Sequence, residues 1–339
     1  MEQKKRQLDI TKTYLITGGA GFIGFHLADR LLKQGARVIS LDNMNDYYEV
    51  SLKENRLKKL EKYQHHSFFR GDLADKETVF HLFEKERPEI VINLAAQAGV
   101  RYSIDNPESY IQSNLVGFFH VLEACRHYPV EHLVFASSSS VYGGNGKVPF
   151  SIEDPVDRPV SLYAATKKSN ELMAYSYSKL YDIPATGLRF FTVYGPYGRP
   201  DMACYKFAKQ IMAGEPIQIY NQGDMYRDFT YIDDIIQGME NILCTPPVPD
   251  SLGTCCKIYN IGNNRPEKLM DFISVLEKYL GREAKKEFLP MQPGDMYQTY
   301  ADVSELVRDF GFKPATTMDE GIKRFASWFK EYHGYEETV

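Results

Sequence analysis

The segment YAATK places a tyrosine and a lysine, Tyr163 and Lys167, four residues apart in a stretch with helical periodicity. Residues at this spacing lie on one face of a helix. A phenol has a pKa of about 10 and is a weak base at neutral pH, but a neighbouring cation favours its phenolate form. The pair therefore predicts proton transfer to and from a hydroxyl group, with Tyr163 as the catalytic acid and base.

Four consecutive serines, residues 137–140, stand at the end of the apolar run HLVFA. A hydroxyl at the end of a buried strand, 25 residues before Tyr163, can share the proton of the reacting oxygen with the phenol. We predict Ser138 as that partner and expect Ser139 and Ser140 to face the substrate. An isolated Tyr-x-x-x-Lys pattern is common, so the serines are needed to support a catalytic role. Which hydroxyl contacts the reacting oxygen stays open.

The segment TGGAGFIG places Gly18, Gly21 and Gly24 between a predicted strand and a predicted helix. The first glycine permits a tight turn, the second lets the backbone approach a pyrophosphate, and the third lets the helix pack closely on the strand. Asp42 ends the next predicted strand, where a carboxylate binds ribose hydroxyls and repels a 2′-phosphate. These residues predict bound NAD rather than NADP, with Asp72 as a candidate contact for the adenine.

Short β-branched runs alternate with helical periodicity from residue 13 onward. The predicted strands lie at 13–19, 37–43, 66–73, 89–96, 132–139, 185–195 and 257–263, and the predicted helices at 21–35, 78–88, 114–128, 163–181 and 231–243. Strands without polar alternation, interleaved with helices, indicate a parallel sheet that is covered on both faces. We predict an α/β fold with a doubly wound parallel Rossmann sheet.

Proline and glycine become frequent after about residue 195, as in YGPYGRP and TPPVPD. This change predicts a smaller, discontinuous C-terminal region that binds the substrate at the carboxyl ends of the strands. The predicted NAD-binding domain comprises 1–189 and about 231–262. The predicted substrate-binding domain comprises 190–230 and 263–339.

The composition is typical of a globular protein, with 43% hydrophobic and 25% charged residues. A net charge of −5 gives no electrostatic reason to expect nucleic acid or an anionic membrane as a partner. No apolar segment approaches about 18 residues, and no signal-peptide core precedes the first strand. The five cysteines form no CxxC pair. These features predict a cytoplasmic protein without a metal site.

The order of glycine loop, strand-end acid, serine, tyrosine and lysine resembles the extended short-chain dehydrogenase/reductase family. Longer segments are similar to UDP-glucuronate 4-epimerases within it, namely LAAQAGVRYSIDNP, LYAATKKSNELMA, GLRFFTVYGPYGRPDMA and RDFTYIDDI. The resemblance spans about 13–330 and implies an isomerase that interconverts UDP-glucuronate and UDP-galacturonate. In this reaction a 4-keto sugar forms and is reduced on its other face, so NAD is recycled and stays tightly bound.

The resemblance also implies which residues contact the two ligands. Further NAD contacts are expected from Phe22, Ile23, Asn43, Asn45, Leu73, Leu94, Ala95, Ala96, Asn114, Lys167, Phe190 and Val193. The sugar carboxylate is expected on Thr192 and Arg199, because the planar guanidinium suits a carboxylate. Arg101 is a further candidate near the sugar or the phosphates.

The uridine diphosphate part of the substrate is expected on later segments. The resemblance places Arg227 at the diphosphate and Asp295 at the ribose or in the ordering of its loop, and Tyr220 can stack on the uracil. Gln292 stands where many relatives carry a basic residue, so the phosphate contact there is expected to be weaker or supplied elsewhere.

Other NAD-dependent sugar-nucleotide enzymes share the fold and the Tyr/Lys pair. Decarboxylases typically carry Glu at the position of Ser140, dehydratases carry Asp-Glu at Ser139 and Ser140, and galactose-type epimerases usually carry Asn at the position of Thr192. Hydroxyls alone supply no acid and base for dehydration, so the serines favour epimerisation. A non-catalytic NAD-binding regulator is the alternative of another class. Relatives pair two helices matching 114–128 and 163–181, so a homodimer is expected.

Overall fold

The computed structural model describes residues 7–291 and 297–335. Its strands are β1 (Thr13–Thr17), β2 (Arg37–Asp42), β3 (His66–Arg70), β4 (Ile90–Asn93), β5 (His132–Ser138), β6 (Ala185–Phe190), β7 (Thr192–Tyr194), β8 (Pro216–Ile219), β9 (Tyr226–Tyr231), β10 (Cys256–Ile261), β11 (Pro266–Lys268), β12 (Lys285–Phe288) and β13 (Gln298–Thr299). Its helices are α1 (Phe22–Lys33), α2 (Val50–Leu60), α3 (Lys76–Glu86), α4 (Tyr102–Asp105), α5 (Pro107–Tyr110), α6 (Gly117–His127), α7 (Leu162–Tyr181), α8 (Ala203–Ala213), α9 (Ile232–Leu243), α10 (Leu269–Leu280), α11 (Ser304–Phe310) and α12 (Met318–His333).

Within the described residues, seven parallel strands form the main sheet, in the order β10-β6-β5-β4-β1-β2-β3. The sequences of β1 (TYLIT) and β4 (IVIN) are apolar enough to be buried over their whole length, as a sheet covered on both faces requires. The strand order reverses between β1 and β4, and ligands bind at such a reversal. The predicted doubly wound α/β fold is confirmed.

Two predicted elements differ in detail from the structure. The predicted strand 185–195 is interrupted at Phe191, because β6 stays in the main sheet while β7 pairs with β9 in a second sheet. The predicted helix 114–128 begins earlier, as the π-helical turn Ile111–Val116, and continues as α6. In the first case the pairing partner lies more than 30 residues along the chain, so local periodicity cannot reveal the break.

The later part of the chain forms smaller sheets beside the main one. Strands β7, β11 and β13 pair with β9, and β12 pairs with β8. Helices α8, α10 and α12 pack on one another there. The division into an NAD-binding and a substrate-binding domain stays a prediction. A bilayer-crossing helix is absent from the described part of the chain.

The start of α7 decides where the predicted catalytic pair lies. Ser161 is its N-cap, and the Ser161 hydroxyl accepts a hydrogen bond from the Ala164 N–H at 3.1 Å. Tyr163 is therefore in the first turn, with Lys167 one turn later on the same face. Helix α7 packs against β5, whose last residue is Ser138. The cap thereby brings the tyrosine to the end of the serine strand.

Candidate active site

A single cleft of about 650 Å³ contains nearly all the residues predicted to act together. It lies at the carboxyl ends of β1, β2, β4, β5 and β6, and its size is typical of ligand sites. Every predicted site residue lines this cleft except Asn114 and Tyr220, and Asp295, which like Gln292 lies outside the described residues.

The glycine loop shows the close packing that a dinucleotide site requires. Gly18 has a φ of +70°, and its N–H donates to the Leu41 carbonyl at 2.7 Å. A Cβ on Gly24 would lie 2.2 Å from the Gly18 carbonyl oxygen, and one on Gly21 would lie 2.9 Å from it. Gly21 caps α1 without a side-chain hydrogen bond, so the first N–H groups of the helix are available to a phosphate.

The end of β2 holds a fixed carboxylate beside this loop. Asp42 is 8% exposed and accepts hydrogen bonds from the N–H groups of Ala20 (3.2 Å) and Met44 (2.9 Å). Next to it, the Asn43 amide donates to the Asp72 carboxylate at 2.8 Å. Lys53, which was not predicted, lies 3.8 Å from Asp42, and burial lowers its pKa. The backbone cradle and this carboxylate fit the pyrophosphate and a ribose of NAD.

The Tyr163 hydroxyl lies beside the Ser138 hydroxyl, and the two side chains interact. Burial raises the pKa of Tyr163 above its ordinary value, while the Ser138 hydroxyl and the charge of Arg199 work against that rise. Lys167 is 3% exposed, and its ammonium donates to the Ala136 carbonyl at 2.9 Å. Burial lowers the pKa of Lys167 to about 8. The protein groups alone therefore do not produce the lowered phenol pKa that was expected for Tyr163, and a bound ligand has to contribute to it.

The serine run forms the floor of the cleft. Ser138 ends β5, and its hydroxyl accepts a hydrogen bond from the Ser140 N–H at 3.2 Å. Ser140 Oγ is buried and has no hydrogen-bond partner in the described part of the protein. Buried hydroxyls are normally bonded, so an unpartnered hydroxyl that lines a cleft indicates a ligand contact.

Ser137 points away from this floor into a buried polar network. Its hydroxyl donates to Glu171 at 2.6 Å, and Arg189 donates to both oxygens of Glu171 at 2.8 and 2.9 Å. Arg189 also donates to the Tyr142 hydroxyl at 3.0 Å. Although burial works against its charge, bonds from Arg189 hold the pKa of Glu171 below its ordinary value. The network ties α7 to β5 and β6 directly behind the site.

The loop after β7 brings a cation to the same cleft. Arg199 and Tyr163 interact electrostatically, and Thr192 on β7 lines the cleft beside them. Arg199 forms an ion pair with Asp201, and the Tyr47 hydroxyl donates to Asp201 at 3.2 Å. The cleft thus combines a nucleotide cradle, a phenol for proton transfer and a guanidinium for an anionic group.

Comparison with known proteins places this geometry in a family. A family model described as GDP-mannose 4,6 dehydratase matches residues 15–325. Protein CapI of Staphylococcus aureus is 53% identical over 330 residues, covering 94% of this chain and 98% of its own. A probable UDP-glucuronate 4-epimerase of Rhizobium meliloti (strain 1021) is 46% identical over 338 residues, covering 96% of this chain and 99% of its own. The chain belongs to the family of that model, and within it to the UDP-glucuronate 4-epimerases.

A solved structure supports the same family at the level of the fold. The crystal structure of UDP-glucuronic acid 4-epimerase from Bacillus cereus in complex with UDP-glucuronic acid and NAD has a TM-score of 0.86 to this chain. The two are 34% identical, and the match covers 94% of this chain and 99% of that one. The resemblance to the UDP-glucuronate 4-epimerase family, which was inferred from sequence segments, is confirmed.

Two residues of this epimerase family member lie apart from the cleft lining. Asn114 is buried, and its amide bonds to the backbone of Gln97 at 2.8 and 3.0 Å and to the Thr166 hydroxyl at 3.1 Å. It braces the loop after β4 against α7 from behind. The ring of Tyr220 lies under the Arg101 guanidinium, 5.1 Å away, and its hydroxyl donates to Gln218. Arg101 itself lines the cleft.

Several functional residues of this family member were not predicted. The Tyr110 hydroxyl lies within hydrogen-bond distance of the carbonyls of Ala98 (3.0 Å) and Gly99 (2.5 Å), and its ring packs edge-on against Tyr163 at 6.0 Å. It holds the loop that carries Arg101. Arg189 had a detectable signal, since its charge interrupts the otherwise apolar strand β6, whereas Glu171 stands in a polar stretch of α7 and had none. The sequence gives no comparable signal for Asp201, Tyr47 and Lys53, because their partners lie far along the chain or are of a common residue type.

Proposed function

We propose that the chain is an NAD-dependent UDP-glucuronate 4-epimerase, which forms UDP-galacturonate through a transient 4-keto sugar. The proposal depends above all on the placement of Arg199 in the same cleft as Tyr163, where guanidinium and phenol interact. A sugar that presents O4 to the phenol carries its C5 substituent on the neighbouring carbon. A planar guanidinium near that carbon suits a carboxylate.

The protein groups perform the proton transfers of this reaction. NAD, held by the glycine loop and Asp42, would supply a hydride acceptor for C4 of the sugar and a hydride donor for the keto sugar. Tyr163 takes the O4 proton during oxidation and gives it back during reduction, and Ser138, whose hydroxyl lies beside the phenol, shares that proton. Because burial raises the pKa of Tyr163, the positive charges of Lys167 and of the oxidised nicotinamide are needed to favour the phenolate.

The groups that hold NAD follow from the geometry of the nucleotide end. The backbone of Gly18, Gly21 and Gly24 and the first N–H groups of α1 would receive the pyrophosphate. Asp42 would accept the hydroxyls of the adenosine ribose, which favours NAD over NADP. Lys167 would orient the nicotinamide ribose from the other side of the cleft.

The position of the acids among the described residues that line the cleft supports epimerisation over elimination. Among the described residues that line the cleft, the carboxylates are Asp42 and Asp72, and both stand at the nucleotide end. Ser139 and Ser140 occupy the floor where dehydratases carry an acid pair. Dehydration needs a further acid and base at the sugar, which hydroxyls do not supply. A carboxylate held by Arg199 and Thr192 is also kept from leaving as CO₂.

The experiment incubates the purified protein with UDP-glucuronate and follows the sugar protons by NMR. We expect UDP-galacturonate without CO₂, at an equilibrium that is reached from either sugar. UDP-pentose with CO₂ would instead identify a decarboxylase, and no conversion with NAD bound would favour a non-catalytic regulator. UDP-glucose is the control, since it has the same O4 but no carboxylate for Arg199.

A second copy of the chain is proposed as the partner of α6 and α7. Large apolar side chains on these helices and the turn before α6 are exposed, namely Ile111 (37%), Phe119 (42%), Leu172 (57%) and Tyr175 (40%). Exposed apolar surface of this kind indicates a protein interface, and the same face on two copies can pair symmetrically. Sedimentation analysis should give a dimer, and Leu172→Glu should give a monomer of unchanged fold.

The cytoplasm is proposed as the compartment of this enzyme. The five cysteines are all free in the structure, and two of them, Cys125 and Cys204, are buried. Free thiols are typical of a reducing compartment. Fractionation of the native cells, with detection of the chain by antibody, tests this proposal.

A further inference from the structure

The Arg199 guanidinium is held along one edge by a carboxylate of its own loop. Its Nε donates to Asp201 Oδ1 at 3.0 Å, and its Nη2 donates to Asp201 Oδ2. A guanidinium has five N–H donors in a fixed plane, so this pairing along the Nε edge leaves three, two of them on Nη1. Two of those three donors, one on Nη1 and one on Nη2, form a second edge that can still bind a carboxylate with two parallel hydrogen bonds.

Asp201 is tied to the opposite side of the cleft through Tyr47. The Tyr47 hydroxyl donates to Asp201 Oδ2 at 3.2 Å, and Tyr47 itself lines the cleft from the loop between β2 and α2. Its ring packs on Tyr102 with centroids 4.7 Å apart. Two loops that are 154 residues apart therefore meet at one carboxylate.

We propose that Asp201 is a positioning residue, which fixes Arg199 so that its second edge faces the sugar carboxylate. This inference rests on the proposed function. An arginine side chain has several rotatable bonds and loses rotamer entropy when it is fixed, and ordering it before the substrate arrives removes that cost from binding. Because Asp201 occupies the Nε edge, the substrate carboxylate can bind the second edge without displacing Asp201.

The side chains of this ion pair are partly exposed, at 23% for Arg199 and 30% for Asp201. Ion pairs that are partly open to solvent contribute less to the stability of a fold than fully buried pairs. Loss of Asp201 is therefore expected to change the handling of the substrate carboxylate while the folded protein persists.

A poorly held carboxylate also opens a side reaction of the 4-keto sugar. In that reaction the bond from C5 to the carboxylate carbon breaks, CO₂ leaves, and the electron pair passes to the C4 ketone as an enolate, which then takes up a proton. The bond breaks readily only when it lies parallel to the π orbitals of the ketone. Arg199 prevents this alignment by holding the carboxylate, so a misplaced Arg199 should release CO₂.

The experiment compares the wild type with Asp201→Ala, Asp201→Asn and Tyr47→Phe. For Asp201→Ala we expect KM for UDP-glucuronate to rise about tenfold with kcat changed less than about threefold, the pattern of lost ground-state binding. The share of UDP-4-ketopentose among the products, together with the UDP-pentose that forms when the hydride removed from C4 is returned to it, should rise together with KM. Asp201→Asn keeps one acceptor oxygen and should fall between Asp201→Ala and the wild type, and Tyr47→Phe should have the smallest effect.

Three controls separate positioning from general damage. Inhibition by UDP, which lacks the carboxylate, should be unchanged in all variants, and so should the NAD content. Asp271→Asn alters an exposed acid on α10 and should behave as the wild type. If Asp201→Ala does not fold, Asp201→Asn, which has the same shape, still reports on the charge.

The outcomes distinguish this inference from the proposed function. An unchanged or lowered KM in the Asp201 variants would overturn the inference, because it would mean that Asp201 is irrelevant to the substrate carboxylate or competes with it. A wild-type protein that fails to form UDP-galacturonate would overturn the proposed function instead, and would do so before any variant is measured.

Discussion

At the glycine loop the groups that face the cleft are backbone atoms, whereas at the serine floor they are side chains held by other side chains. Gly18, Gly21 and Gly24 leave no room for a Cβ, so this end depends on the path of the chain. Ser138, Tyr163 and the residues behind them depend on hydrogen bonds between separate elements. The two ends should therefore fail in different ways, the first by loss of cofactor and the second by loss of turnover.

The sharpest test of this difference is Tyr163→Phe. Removal of the phenol oxygen takes away the proton acceptor, and general acid–base groups contribute about 10²- to 10⁴-fold to a rate. We expect kcat to fall by about that factor while NAD stays bound, because the glycine loop is untouched. Turnover is measured by NMR and NAD by its release on denaturation. Tyr175→Phe, an exposed tyrosine on the same helix, is the control, and equal activity of the two variants would exclude Tyr163 as the acid and base.

The network behind the serine floor should be the next most sensitive feature. Glu171→Leu leaves Arg189 buried and unpaired, and the loss of one partner of a buried ion pair costs about 3–5 kcal/mol of unfolding free energy. The double variant Glu171→Leu/Arg189→Met should recover part of this loss. Denaturant unfolding gives both values, with kcat as a second readout because Ser137 loses its acceptor.

A control and a contrary result define this test. Glu49→Gln breaks an exposed pair with Lys209 and should leave the unfolding midpoint unchanged. If Glu171→Leu behaves like Glu49→Gln, the side-chain network does not support the sugar end.

At the cofactor end the corresponding change is Gly24→Ala. The added Cβ would lie 2.2 Å from the Gly18 carbonyl oxygen, and backbone must move to admit it. Overpacking of this kind costs about 1–3 kcal/mol, and the displaced loop should lose NAD. Gly144→Ala is the matched control, since nothing lies within 4 Å of its Cβ position. Retention of NAD by Gly24→Ala at wild-type affinity would contradict a backbone-built cradle.

This contrast also explains how much could be predicted from the sequence. The glycine loop, Asp42 and the alternation of strands and helices are local patterns, so the fold and the nucleotide end were predictable from their residues. Tyr163 and Lys167 share one helix and were predictable for the same reason. The prediction that Arg199 lies at the site came from the resemblance to the family, because no local pattern links a loop after residue 195 to a helix that starts at 162.

The residues that were missed act through partners far along the chain. Asp201 contacts Tyr47 across 154 positions, and Glu171 meets Arg189 only because α7 packs on β6. Asn114, which was predicted at the cofactor, lies in the π-helical turn and bonds to Gln97 and Thr166, so its contact with the cofactor stays a prediction. Such contacts depend on tertiary packing, which a single sequence does not display.

The smallest predicted effect concerns a contact between the helix that follows the glycine loop and the loop that leads to Arg199. His26 on α1 lies 2.8 Å from the Pro196 carbonyl in the loop that leads to Arg199. Burial lowers the pKa of His26 to about 4, and the hydrogen bond to Pro196 opposes that shift. Below its unfolded pKa of about 6.5, the unfolded chain binds a proton that the folded protein does not. Stability is therefore lost as the pH falls from 6.5 toward 4.

His26→Gln keeps a donor for Pro196 and removes the titration. Between pH 7 and pH 5 the wild type should lose about 2 kcal/mol more unfolding free energy than this variant, since one pKa unit corresponds to about 1.4 kcal/mol. Denaturant unfolding at both values measures the difference, and His65→Gln, an exposed histidine, should match the wild type. Equal acid sensitivity in His26→Gln and the wild type would mean that burial of His26 does not make the folded protein sensitive to acid.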